Sequence, residues 1–219
     1  MYSFSTLAAM MQSLAMFAVS FLIVFSLQAV RGYDPLRAAL LLIPMPLIMV
    51  VIGPLSGILA DRMGARILAT VGVLIQAVAL FWFILLRIDT PYASIALALG
   101  LMGFGGGMFF SPNSSAAMNA APRYRLGVAS AALVTLRQTG MVTSLAVAMA
   151  VAAASLPRED MMKLFVGTNI TLGSQSMQAF VVGMRSAFVV SLALLLVAAV
   201  FSFVRGREDR RPLSLRKIG

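Results

Sequence analysis

The sequence joins two long apolar runs through the stretch Gly53-Pro-Leu-Ser-Gly-Ile-Leu-Ala-Asp-Arg-Met-Gly-Ala-Arg66. Because only a few polar residues separate the runs, the stretch predicts two antiparallel helices in lipid, connected by a tight turn. Gly57 has no side chain to hold the helix ends apart, Asp61 can accept backbone N–H groups or face a cation, and Gly64 can take φ > 0. Arg62 and Arg66 would then lie at the membrane surface, on the cytoplasmic side by the positive-inside rule.

The composition excludes a soluble domain. Hydrophobic residues make up 61% of the 219 residues and charged residues 11%, and the mean hydropathy is +0.97. Such a chain would leave too much apolar surface in water, so the sequence predicts an integral membrane protein. The net charge of +10 falls in loops and in the tail after Val204, where anionic lipid explains it and no nucleic-acid partner is expected. With no Cys and no His, neither a metal site nor another cofactor is expected.

Six apolar runs are long enough to cross a membrane, since each crossing needs about 20 residues. They cover about residues 6–30, 36–60, 67–86, 92–120, 127–156 and 179–204. We therefore expect an all-α membrane protein with one six-helix bundle over residues 1–204. An outer loop at 157–178 would contain the apolar patch Met161–Val166, either as a short surface helix or as part of an exposed linker. Residues 205–219 would form a basic cytoplasmic tail.

The pattern Gly57-x-Leu59-Ala60-Asp61-Arg62-x-Gly64-x-Arg66 resembles the signature loop of the major facilitator superfamily. In that family the loop lies between the second and third helices of each six-helix half. Its Asp and Arg are implied to make charge contacts with neighbouring helix ends, which break as the transporter rocks. Ala65 departs from the pattern, because the family often has a basic residue there. The alternative is an ordinary membrane hairpin.

Two other parts of the chain resemble the fourteen-helix drug:proton antiporter branch of this superfamily. The segment from Gln28 to Ala39, followed by Leu42-Ile-Pro44, has that branch's order of a Gln, a Gly-Tyr turn and a Leu-Pro. Gly127-x-Ala-Ser130 and Arg137-Gln138-x-Gly140 are similar to motifs of its fifth helix. The chain therefore looks like the C-terminal six-helix half of such a transporter. The resemblance implies a central cavity lined from helices one, two, four and five, with Gln28 among its candidate residues.

The fourth helix combines a glycine-rich face with a polar cluster. Gly103 and Gly107 are four residues apart, which would let another backbone approach closely. Asn113, Ser114 and Asn119 follow, and they either form hydrogen bonds between helices or line the central cavity. In the second helix, three prolines predict either a hinge or an irregular helix, because each removes an intrahelical hydrogen bond.

Arg137 is the charge that the sequence places at bilayer depth. It lies roughly 15 Å along the fifth helix, too deep to reach the membrane surface easily, so it is a functional-site candidate together with Gln138. No acidic residue occurs within the six runs. Arg137 would then either hydrogen-bond Asn and Ser side chains of the fourth helix for packing, or lie at the interface with a second half.

No motif for ATP binding, metalloprotease chemistry or an activated serine is present, so no catalytic residue and no enzyme activity are expected. A secondary transporter remains, with a small-molecule substrate, protons, the lipid bilayer and a second six- or eight-helix half as partners. The chain would be a fragment of a longer transporter, the product of a split gene, or a half-size protein that must pair. The alternative is a membrane scaffold or truncated remnant that does not transport.

Orientation depends on the Lys and Arg count. With both termini in the cytoplasm, the inner segments hold ten of these residues and the outer segments hold six. This bias predicts a multi-pass protein of the cell (inner) membrane with both termini inside. Most of the excess lies in the tail, where residues 205–217 supply six of the ten inner cations.

Overall fold

Six helical segments long and apolar enough to cross a membrane occur among the residues that the structure describes. The structure is a computed structural model, and it describes residues 2–29, 31–86, 90–155 and 174–204. The protein is an all-α membrane protein. Its helices are α1 (Tyr2–Ala29), α2 (Pro35–Leu40), α3 (Pro44–Met63), α4 (Ala65–Leu85), α5 (Tyr92–Asn119), α6 (Leu126–Ser155) and α7 (Ser174–Val204), with a 3₁₀ turn at Arg123–Arg125.

The turn between α3 and α4 is shorter than the sequence suggested. Gly64 alone separates the two helices and has φ +95°, a backbone conformation that glycine tolerates and other residues rarely adopt. Its N–H donates to the carbonyl of Ala60 at 2.8 Å. Because one residue reverses the chain, Asp61 and Arg62 belong to the last turn of α3 and not to a loop, and Arg66 belongs to the first turn of α4.

The second membrane-crossing segment is not one continuous helix, which corrects the expected helix at 36–60. Residues 41–43 form a turn between α2 and α3, in which the backbone N–H groups of Leu42 and Ile43 donate to carbonyls three residues earlier. The cause is Pro44, which has no N–H to donate to Leu40 and whose ring would clash with that carbonyl. Pro54 lies inside α3 without ending it.

The last helix begins five residues before the predicted position. Ser174 starts α7, so residues 174–178 of the expected outer loop are helical. Hydropathy marks the part of a helix that lies in lipid, and a helix can continue beyond it with polar residues. The patch Met161–Val166 and the basic tail at 205–219 lie outside the described residues.

The bundle has α5 and α1 at its centre. Helix α5 packs against both α3 and α4, α1 packs against α6 and α7, and α7 also contacts α4. Large buried side chains such as Leu22, Leu99, Phe109 and Phe188 fill the core. Helices α3 and α6 lie at the periphery. In the apolar stretch of the segment that contains α3 only 6% of the residues are buried, and in that of α6 only 22% are, whereas in the other four segments 39% or more are buried. We call the end that carries Gly64 the loop end.

Glycines allow the close contacts of α5. A Cβ atom at Gly103 would overlap the carbonyl oxygen of Met45, and one at Gly107 would lie 2.9 Å from the Cβ of Ile52. On the other side, a Cβ at Gly72 of α4 would lie 2.6 Å from the carbonyl oxygen of Gly105. The backbones of α3, α4 and α5 therefore touch at these positions.

We expect Gly103→Ala to lower the free energy of unfolding by about 1–3 kcal/mol, because the added methyl group must push α3 away from α5. Thermal or denaturant unfolding of the purified chain in detergent measures this. The matched control is Gly127→Ala, since nothing lies within 4 Å of a Cβ there. It should leave stability unchanged or raise it by up to about 1 kcal/mol. Equal effects of the two substitutions would contradict the close contact.

Candidate functional site

Asp61 has no polar partner in the described part of the chain. Its side chain is exposed in the last turn of α3, and α4 begins without a side-chain cap. Neither of the contacts expected for it, with backbone N–H groups or with a cation, forms with the residues that the structure describes. Arg62 beside it is also exposed. The carboxylate of Asp61 is thus available to a group outside the described bundle.

Arg66 is held by the end of the last helix. Its guanidinium carbon lies 4.3 Å from the ring centre of Phe203, a distance typical of a cation–π contact. One turn along α4, the hydroxyl of Thr70 donates to the carbonyl of Arg66 at 2.8 Å and lies 3.2 Å from the hydroxyl of Ser202. The start of α4 and the end of α7 are therefore fixed to each other beside the turn.

The turn is also connected to α5 through small and polar groups. The hydroxyl of Ser56 is 2.8 Å from the carbonyl oxygens of both Gly53 and Gly107. A Cβ at Gly57 would lie 2.9 Å from the hydroxyl oxygen of Ser111. This part of α3 therefore lies directly on α5.

Arg137 forms a half-buried site with two residues of α5. Its Nη2 donates to the hydroxyl of Ser114 at 3.3 Å, and its guanidinium carbon lies 4.1 Å above the ring centre of Phe110. The hydroxyl of Ser114 itself donates to the carbonyl of Phe110 at 2.8 Å. Phe110 and Ser114 lie four residues apart, so they share one face of α5. This arrangement orients the guanidinium, but neutralises none of its charge.

The other candidate residues do not join this site. Asn113 is fully buried and donates to the carbonyl of Ser5 at 3.0 Å, so it connects α5 to α1. Asn119 is exposed at the last residue of α5, and Gln138 is exposed on α6. Gln28 is half-buried on α1. Three acceptors were expected for Arg137 on the fourth membrane-crossing helix, which is α5. Of these, Ser114 is the one that lies within hydrogen-bond distance of Arg137.

No counter-charge reaches Arg137 from the described residues. Their two acids, Asp34 and Asp61, lie at helix ends. Among the same residues, no group of three His, Cys, Asp or Glu side chains could hold a metal ion. The site can therefore donate hydrogen bonds and attract an anion, and among the described residues no carboxylate lies beside it to take up a proton.

A second polar contact crosses the interior of the bundle. Gln76 of α4 is 1% exposed, and its amide nitrogen lies 3.5 Å from the carbonyl oxygen of Met102. Its amide oxygen accepts from Gln12 of α1 at 3.4 Å. Since α1, α4 and α5 all contribute, this pair serves the packing inside the half and not the exposed face.

The family follows from comparison with known proteins. Residues 2–145 match the Major Facilitator Superfamily. The chain belongs to this superfamily. It therefore belongs to a family of transporters, and its six helices form one half-bundle of the major facilitator fold.

Relatives with transport names are similar to parts of this major facilitator chain. The riboflavin transporter RibZ of Clostridioides difficile is 30% identical over 159 residues, which cover 73% of this chain and 35% of RibZ. The MFS-type transporter YhcA of Bacillus subtilis is 34% identical over 137 residues, 63% of this chain and 26% of YhcA. The multidrug resistance protein Stp of Mycobacterium tuberculosis is 33% identical over 130 residues, 59% of this chain and 24% of Stp. The chain thus spans about a quarter to a third of the length of these relatives.

Sequence reasoning missed two aromatic residues of this half-bundle. Phe110 lies under Arg137, and Phe203 lies under Arg66. The contact with Phe110 could have been predicted from the sequence. Phe110 precedes Ser114 by one helical turn, so a cation that binds Ser114 lies close to the Phe110 ring as well. The contact with Phe203 required knowledge that α7 ends beside α4, which depends on the tertiary fold.

We expect Arg137→Leu to leave the free energy of unfolding of the isolated chain unchanged or to raise it by up to about 2 kcal/mol, because an Arg at bilayer depth is costly without a counter-charge. Unfolding in detergent or bicelles measures this, with Val134→Leu one turn earlier on α6 as the control. A loss of more than about 1 kcal/mol would identify Arg137 as a packing residue.

Proposed function

We propose that the chain is the C-terminal six-helix half of a fourteen-helix drug:proton antiporter, which exports drugs or other small amphipathic molecules by alternating access. The observation that carries this proposal is the low burial of α3 and α6, combined with the uncompensated charge of Arg137 on α6. A second six- or eight-helix half covers these helices and completes the cavity. The length of the relatives supports this, since the chain spans about a quarter to a third of them.

The signature turn, by which we mean Gly64 with the helix ends on either side of it from residue 57 to residue 66, controls the rocking of the two halves. Asp61 makes its charge contacts with the other half, because it has none within the described bundle. Gly57, Arg62, Gly64 and Arg66 hold the turn in place for this contact. The break at residues 41–43 allows α2 and α3 to bend relative to each other as the halves move.

The cavity lies between the halves and is mainly apolar. Its polar residues on this half are Arg137, Gln138, Ser114 and Gln28, and the carboxylates that exchange protons belong to the other half. The guanidinium of Arg137 faces one of these carboxylates, which supplies the missing counter-charge. Relatives named for multidrug resistance and for riboflavin transport support a small organic substrate.

A second candidate is a membrane scaffold or remnant that pairs with another protein and does not transport. The position of the two described acids, Asp34 and Asp61, at helix ends favours it, since neither lies in the middle of a membrane-crossing segment where a coupling site would be expected. The two candidates differ in whether export depends on the chain.

Export in cells that lack other drug pumps tests the proposal. The chain is expressed with and without its second half, and efflux of a fluorescent drug is followed in the presence and absence of a protonophore. We expect efflux only from the pair, and its loss when the proton gradient collapses. Asp61→Asn should slow export about tenfold or more, since it removes charge-assisted contacts. Asp34→Asn, at the opposite end of the bundle, is the control.

Membrane insertion is measured in the same cells and should be equal for all variants, because the side chain of Asp61 is exposed and makes no polar contact with the described residues of this half. Normal export by Asp61→Asn would make the turn a simple connection. Unchanged export when the chain is omitted would favour the scaffold.

We propose that the protein lies in the cell (inner) membrane. Both termini and the loop end then face the cytoplasm. The chain has no Cys, so single substitutions report the orientation cleanly. Ala93 lies in the first turn of α5 and Tyr124 in the 3₁₀ turn that follows the other end of α5, and both positions are exposed. In intact cells we expect an impermeant thiol reagent to label Ala93→Cys but not Tyr124→Cys. The reverse pattern would invert the protein in the membrane.

A further inference from the structure

Two arginines fix the connection between α4 and α5 at the end opposite the loop end. Arg31, just after α1, donates from Nη2 to the carbonyl of Thr90. Arg185 of α7 donates from Nη2 to the carbonyl of Leu86 at 3.2 Å. Two guanidinium groups, one just after α1 and one on α7, thus contact the two sides of one short connection.

An apolar cavity lies beside this connection, with Arg31 in its wall. Leu27, Phe83, Ile95, Met184 and Phe188 are among the side chains that line it. The cavity has a volume of about 50 Å³, and the space widens to about 530 Å³ when the open mouth is included. The cavity without its mouth is less than the volume of about two water molecules, so it can admit the tip of an alkyl chain and not a whole ligand.

The cavity is separate from the proposed transport site. Its lining comes from α1, α4, α5 and α7, whereas Arg137 lies on α6. Helices α3 and α6, which we assign to the interface with the second half, contribute none of the lining residues. A ligand here would therefore bind whether or not the second half is present.

The guanidinium groups have donors to spare. An Arg side chain carries five N–H donors, and the structure assigns one hydrogen bond each to Arg31 and Arg185. The acid that the structure describes at this end, Asp34, accepts instead from the backbone N–H of Arg37, at the start of α2. Among the described residues of this end, no carboxylate pairs with either guanidinium. Two cations near a narrow apolar cavity match an anion attached to an alkyl chain.

We propose that this end of the bundle binds an anionic phospholipid of the surrounding bilayer. Its phosphate accepts hydrogen bonds from Arg31 and Arg185, and the tip of one acyl chain enters the cavity beside the rings of Phe83 and Phe188, which contact each other. Helix ends lie at the level of the headgroups, where a guanidinium and a phosphate meet without leaving the membrane surface. The bound lipid connects α1 to α7 through their two arginines.

Native mass spectrometry of the full chain in detergent tests this, with three probes: phosphatidylglycerol, phosphatidylcholine with the same acyl chains, and oleate. We expect phosphatidylglycerol to be retained about tenfold more than phosphatidylcholine, as expected for charge-assisted hydrogen bonds. Arg31→Gln and Arg185→Gln should each reduce this retention about tenfold. The control Arg37→Gln, at the same end but stacked on Tyr33, should not.

The variant Ser26→Leu separates loss of the lipid site from misfolding. Its larger side chain occupies space in the cavity, and both arginines are kept. It should reduce phosphatidylglycerol retention while the chain unfolds at an unchanged temperature. Equal retention by the wild type and the Arg31→Gln/Arg185→Gln double variant would overturn the proposal. Retention of oleate equal to that of phosphatidylglycerol would also overturn it, because the occupant would then be a free fatty acid.

Discussion

The close packing of α5 against α3 and α4 is the contact on which the rest of this half-bundle depends. In lipid, apolar side chains gain little by leaving their surroundings, so helices associate through close backbone contact and hydrogen bonds. Here Gly103 and Gly107 admit α3, and Gly105 with Gly72 admits α4. Buried hydrogen bonds at Ser56 and Asn113 then fix α3 and α1 to the same helix. This packing also determines the position of the signature turn, because the turn joins α3 to α4 and both of these helices pack against α5.

The sequence predicted the membrane class and the six crossings, because hydropathy reports directly on the lipid environment. It did not predict helix ends equally well. Asp61 and Arg62 are polar and were expected in a loop, but a single glycine with positive φ completes the reversal and leaves both residues helical. Likewise the break at residues 41–43 depends on which of several prolines interrupts the helix, and Pro54 shows that a proline in α3 need not do so.

Candidate site residues were predictable as types but not as neighbours. A cation at bilayer depth singled out Arg137 from the sequence, and the structure gives it Ser114 and Phe110. Asn113, on the same helix, faces α1 instead, because a step of one residue rotates a side chain by about 100° around the helix axis. Two charged groups therefore have no oppositely charged partner among the described residues: Asp61 at the loop end and Arg137 on α6. We interpret both as contacts with a second half.

Crosslinking from the two peripheral helices tests most directly whether a second half covers them. A photoreactive phenylalanine replaces Val50 of α3 or Val142 of α6, which are 72% and 68% exposed, and Val200 of α7, which is 59% exposed, is the control. Our account predicts that Val50 and Val142 crosslink to the same partner, with six or eight membrane helices, and that Val200 does not. Lipid adducts alone at all three positions, or crosslinks only to a second copy of this chain, would contradict it.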